Sequence, residues 1–188
     1  MKRLISLGIL WIACLPADAL ALRVFACEPE WAALATQIGG DRVDVYAAVT
    51  GLQDVHAIQA RPSLIARYRR ADLVICTGAD LESGWLPLLF RQGANPRAQP
   101  GKPGFLEASR HVEMLEKPRS LDRAQGELHA MGNPHIQTAP ANIAAVAPVL
   151  AERLAQLDPQ GAQDYAARSA DFLQRWDCLL YTSDAADD

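Results

Sequence analysis

Four consecutive apolar residues, Leu73, Val74, Ile75 and Cys76, flanked by Asp72 and Thr77 and closed by Gly78, constrain this chain more than any other stretch. A run that short and apolar at every position reads as a strand buried on both faces, the kind found inside a parallel sheet. Leu22 to Cys27 is a second β-rich run, and Val43, Val45, Ala47 and Val49 alternate as one face of a third. Between and after these strands, apolar residues recur at helical spacing. Trp31, Leu34 and Ile38 do so before the stop at Gly39-Gly40-Asp41; Leu64, Ile65 and Tyr68 follow Ser63; Trp85 to Phe90 continues the pattern. Strands alternating with helices predict an α/β fold with a parallel sheet flanked by helices. Such sheets bind ligands beyond the carboxyl ends of their strands, so the loops after the second and fourth strands should face the site.

The second half of the chain is less regular before it becomes clearly helical. Gly93 to Gly104 reads as a loop, Phe105 to Glu116 as a helix turn with a fourth strand, and Glu116 to Pro134 as irregular. From Asn142, the residues Ile143, Val146, Ala147, Leu150, Leu154 and Leu157 form one apolar stripe at helical spacing. Pro148 interrupts it and predicts a kink, because proline removes a backbone donor and crowds the preceding turn. Asp158-Pro159 opens a further helix through Tyr165, Phe172 and Trp176. Residues 178–188 break that pattern and resemble translated adapter read-through, so they are set aside as a non-native tail.

Met1-Lys2-Arg3, the apolar run Leu4 to Leu15 and the small-residue site Ala19-Leu20-Ala21 are the three parts of a secretory signal peptide. Cleavage is expected after Ala21, giving residues 1–21 as the signal; the apolar run is shorter than the ~20 residues of a membrane span. Cys14 fits a lipoprotein site poorly, given Trp11-Ile12-Ala13 before it. The formal net charge of −4 argues against a nucleic-acid partner, which would need a basic face. Arg67, Arg69 and Arg70 then read as a solvated helix face. An exported protein permits disulfides. Cys27 and Cys76 lack the spacing of a metal motif and suit the core as small apolar residues; their pairing is left open by spacing.

Chemistry rests on four histidines: His56, His111, His129 and His135. His56, in Gln53-Asp54-Val55-His56, follows a strand; His135, in Gly132-Asn133-Pro134-His135, precedes a well-marked helix. Both belong at the carboxyl edge of the sheet. Neutral imidazole is the commonest protein ligand for zinc. Pro134 stiffens the approach to His135, and Asp54 could orient His56 from outside the ligand shell. By spacing alone the signal is weak, since loop histidines are usually just solvated. His111 reads as structural or exposed. Glu28 and Glu30 follow the first strand and either could face the site, or start the helix, where an acid favours the positive helix end. Trp31 and Trp85 read as core. Neither an H-E-x-x-H nor a G-x-S-x-G motif is present to support a hydrolase.

Several motifs, taken in order, carry a resemblance. The stretch from Asp54-Val55-His56 to Pro62-Ser63, then Ala71-Asp72-Leu73-Val74-Ile75 leading to Gly78 and Leu81-Glu82, is similar to the zinc and manganese solute-binding proteins of ABC importers, the ZnuA-like family. Asn133-Pro134-His135 to Pro140, and Gly39 to Val43, fit the same family. The resemblance runs from Leu22 to about Asp177. It implies two α/β lobes joined by a long rigid helix, with metal held between them. It implies that His56 and His135 are the metal ligands of the N-terminal lobe, with His129 either lining the cleft and capturing metal transiently or simply solvated. Residues 22–157 would be that lobe and 158–177 the start of the linking helix. The second lobe, which supplies a third histidine and a carboxylate, would be missing. The implied protein is a periplasmic monomer, not an enzyme, that carries Zn²⁺, or alternatively Mn²⁺, to a membrane permease. Two departures stand out: Val55 replaces the family's proline before the first histidine, and Ala139 replaces an aspartate after the second. A receptor of the same fold for an iron chelate or corrinoid is the alternative reading, and a metal-dependent hydrolase a more distant one.

Overall fold

The computed structural model describes residues 21–118 and 129–184. The expected signal residues 1–20 lie outside these, as do residues 119–128 and 185–188. Four strands, β1 (Leu22–Ala26), β2 (Val43–Ala47), β3 (Leu73–Cys76) and β4 (Phe105–Glu107), form one sheet in the order β2-β1-β3-β4. All pairings are parallel: Leu22 lies opposite Val43, Val24 opposite Leu73, and Val74 opposite Phe105. Helices α1 (Pro29–Gly39), α2 (Pro62–Arg70), α3 (Leu86–Gly93), α4 (Pro140–Leu157) and α5 (Ala162–Asp184) complete the molecule.

The period-2 geometry of strands sorts the core into two layers. Val24, Ala26, Leu73 and Ile75 pack with Trp31, Leu34, Leu150 and Leu154 beneath α1, α4 and α5. Phe25, Cys27, Val74 and Cys76 point the other way, onto Leu64, Tyr68, Trp85 and Leu89 of the α2–α3 side. The alternation read for the β2 segment holds in parity, with Val43 and Val45 against the first layer and Tyr46 against the second. The strand itself ends at Ala47, two residues earlier than the apolar pattern suggested.

Strand order reverses between β1 and β3, since β2 lies on one side of β1 and β3 on the other. The carboxyl edge at such a switch point is where open α/β sheets leave a crevice. Cys27, Glu28, Thr77 and Gly78 lie at that edge.

Proline stands at the first turn of each of the helices α1 to α4, where its missing N–H costs nothing. Helix α4 runs through Pro148 as one element. Arg153 of α4 reaches the sheet and donates through Nη1 to the carbonyls of Lys102, Pro103 and Phe105 at 3.3, 2.8 and 2.8 Å. Asp158 ties the start of α5 to the body of the lobe, accepting from Arg42 Nε and from the Tyr165 hydroxyl, both at 2.8 Å. The break expected after Asp177 does not occur: α5 continues through Cys178 to Asp184. Its last turns expose Leu179 and Tyr181, so the apolar stripe ends there although the helix does not. The arginines of α2 are not merely solvated either. Arg69 donates to the carbonyls of Gln92 and Gly93 at the end of α3, and Arg67 lies 5.0 Å over the Tyr46 ring.

Candidate metal site

Two loops carry the candidate ligands, and each uses the same local device. Asp54 Oδ1 accepts from the backbone N–H of His56 at 3.0 Å, and Asn133 Oδ1 accepts from that of His135 at 2.9 Å. A short polar side chain that bonds the N–H two residues on makes a tight turn without help from the rest of the fold. Asp54 therefore shapes the backbone at His56, bonding the main chain there. Each histidine is thrown out of the turn toward the same space.

The loop of His56 is braced from outside as well. The Trp85 indole N–H donates to the Val55 carbonyl at 2.8 Å, and the missing Cβ of Gly84 leaves room for the His56 carbonyl, which an added Cβ would meet at 2.7 Å. Rigidity that a proline at position 55 would have given is thus supplied by the turn before α3. On the second loop, Thr138 Oγ1 donates to the His135 carbonyl at 2.7 Å. Ala139, at the start of α4, offers no side-chain cap, as its replacement of an acid implies.

His129 joins the pair. The rings of His56 and His129 are 5.5 Å apart between centroids, and those of His56 and His135 5.8 Å. Two imidazoles on one tetrahedral zinc, with Zn–N near 2 Å, would have centroids roughly 5 Å apart. A cavity of about 300 Å³ lies among the three rings. His56 and His129 are half-buried and His135 is exposed, so the nitrogens face an accessible opening. Glu116 and Asn133 also line it, and Asn133 Nδ2 donates to Glu116 Oε2 at 2.8 Å. Nothing in the sequence singled out Glu116: it begins a segment with no periodicity, and its backbone takes a left-handed φ of 54°. His111 is exposed and lines a different cavity, beside Arg153.

Beneath the histidines, the switch point holds a buried polar centre. Glu28 and Glu82 are 3 % and 2 % exposed and meet at the Thr77 N–H, which donates to Glu28 Oε2 at 3.2 Å and to Glu82 Oε1 at 2.8 Å. Thr77 Oγ1 donates to Glu28 Oε2 at 3.0 Å and accepts from the Trp31 indole N–H at 2.7 Å. Glu28 therefore turns inward and does not cap α1. Burial, with Glu82 beside it, holds the Glu28 carboxyl well above its ordinary 4.5. A carboxyl raised in the fold binds its proton more tightly there than in the unfolded chain. Its contribution is complete below about 4.5 and is lost as pH rises toward the folded value. Glu28→Gln should accordingly flatten the decline of stability as pH rises above about 4.5 in metal-free buffer. Urea melts across that range check it; an unchanged slope would show that Glu28 does not hold the proton.

Cys27 and Cys76, both fully buried, are joined as a disulfide across β1 and β3. The pairing that spacing left open is therefore made. Their sulfurs and a Glu82 oxygen lie within 4.8 Å of one another, a grouping that could coordinate metal once reduced. As a disulfide the sulfurs are not thiolates, the form that binds metal.

A family model described as "Zinc-uptake complex component A periplasmic" matches residues 24–182. The chain is 24% identical over 190 residues to the "Manganese ABC transporter substrate-binding lipoprotein PsaA" of Streptococcus anginosus, covering 95% of this chain and 59% of that protein. Among solved structures, a ZnuA with residues 138–173 deleted and zinc bound superposes with a TM-score of 0.71 at 27% identity, covering 85% of this chain and 55% of that one. The Mn-bound periplasmic metal-binding protein of Candidatus Liberibacter asiaticus shares the fold, with a TM-score of 0.66 at 18% identity over 82% and 52% of the two chains. The chain thus spans a little over half the length of the relatives it matches.

Proposed function

The chain belongs to the periplasmic zinc-uptake component A family, and from that premise we propose that it is the N-terminal, metal-holding lobe of a solute receptor that hands zinc to an ABC permease. The convergence of His56, His129 and His135 on one cavity carries this reading. Metal is cargo here, held by coordination and released unchanged, and no catalytic step is involved. His56 and His135 are the principal ligands; His129 is the third nitrogen from the same lobe, with Glu116 within the cavity wall. The described wall carries no arginine and no large aromatic ring, the linings that a chelate or corrinoid would call for.

Nitrogen donors favour zinc over manganese, which prefers carboxylate oxygen. Manganese is the alternative cargo, and the name of the streptococcal relative supports keeping it. A lobe alone leaves coordination positions to water, so zinc should bind it less tightly than a receptor with both lobes, whose site closes with four protein ligands. Isothermal titration of the purified chain should give one zinc per chain, with manganese failing to displace it. Binding should weaken in acid, because metal and proton compete for the imidazole nitrogens. Manganese binding as tight as zinc, or no saturable zinc at all, would overturn the assignment.

A further inference from the structure

A smaller cavity of about 140 Å³ is lined in part by apolar side chains such as Leu81, and its polar walls are Glu28, Glu30, Thr50, Gln53 and Gln137. Every one of these polar side chains can present an oxygen. Two of those oxygens, Glu28 Oε1 and Gln137 Oε1, are buried without any hydrogen-bond partner. Glu28 itself is only 3 % exposed, and its other oxygen is already engaged by Thr77. A buried acceptor left unmatched is costly, so two at one cavity call for something positive or proton-donating between them. The charges that act on Glu28 are those of Glu82 and Glu30, both negative, and among the described residues no lysine or arginine offsets them.

We propose that this cavity is a second cation site, for a hard divalent ion of the calcium class, held by Glu28, Glu30 and Gln137. Side-chain donors that are carboxylate and amide oxygens favour such an ion over zinc, which prefers nitrogen and sulfur. Binding would displace the proton of Glu28 to solvent and leave its carboxylate on the ion. The walls come from the loop after β1, from the loop that bears His56, and from the turn after His135. An ion here would therefore tie both histidine loops to the switch point of the sheet, without sharing a ligand with the zinc site.

Terbium is a fitting probe, being a hard cation whose emission a nearby indole sensitises. Trp31 stands one hydrogen bond from Thr77, which itself bonds Glu28. The full chain should give terbium emission on excitation of tryptophan, and calcium should displace it. His56→Ala/His135→Ala should retain the signal, which separates this site from the histidine cluster. Glu28→Gln should weaken terbium binding at least tenfold. Gln137→Leu, which touches no carboxyl, should weaken it less and guards against a fold lost in the first variant. The proposal is overturned by absent emission, by emission lost in the histidine variant, or by both Glu28→Gln and Gln137→Leu binding as the parent does.

Discussion

Alanine in place of His56 or of His135 should lower zinc affinity by more than about 100-fold, beyond the loss that typically follows removal of a group outside the ligand shell. His111→Ala should leave it unchanged, since that side chain lines another cavity. His129→Ala should fall between, because the His56–His135 pair survives it. The expectation follows from the centroid separations, which set each of the other two rings beside His56. Each alanine removes a nitrogen from a turn whose backbone is fixed by Asp54 or Asn133, so no neighbour can move in to replace it. Titration of the four variants in one buffer decides the matter. Parent-like zinc binding by the His56 and His135 variants would mean that the metal sits elsewhere.

Opening the Cys27–Cys76 bond should reduce stability by about 4 kcal/mol, the chain-entropy value for closing a loop with a sequence separation of 49 residues. For a domain of this size that corresponds to a thermal midpoint roughly 10 °C lower. The bond joins the ends of two central strands at the switch point, beside Glu28 and Thr77, so the loss should also loosen the buried acid pair. Melts with and without a dithiol reductant, with Cys27→Ala/Cys76→Ala as the covalent control, test it. Coincident melts of the oxidised and reduced protein would count against the disulfide as a stabilising link.

The parts of this molecule that follow local rules were legible in the sequence. The buried run at Leu73–Cys76 marked a parallel strand, and the alternation at Val43 and Val45 marked another strand of the same sheet, with both residues on one face. His56 and His135 stood out because each lies in a loop beside a regular element, within motifs similar to those of the family. What escaped was set by distant contacts. Glu28 looked like a helix-start acid, but its partner Thr77 lies 49 residues away. Cys27 and Cys76 meet only because β1 and β3 are neighbours, and strand order is not written in either segment. The bracing of Val55 by Trp85 depends on where α3 docks. The final helical turns were missed because periodicity reports which residues are buried; an exposed helix end has no stripe to show.

Arg153 has a consequence for how this lobe behaves in a crowded compartment. Strand β4 is the outer strand on its side of the sheet and is only three residues long. The Gly104 carbonyl beside it bonds inward to Val74, so the Phe105 carbonyl faces outward, where a strand of another molecule could attach. An unpaired edge of that kind is a template for polymerisation. Here the acceptor is already occupied by a guanidinium, which also satisfies Lys102 and Pro103 and places a positive charge in the path of any incoming backbone. A single arginine on a helix thus closes this margin of the sheet and leaves the carboxyl edge at the switch point unobstructed.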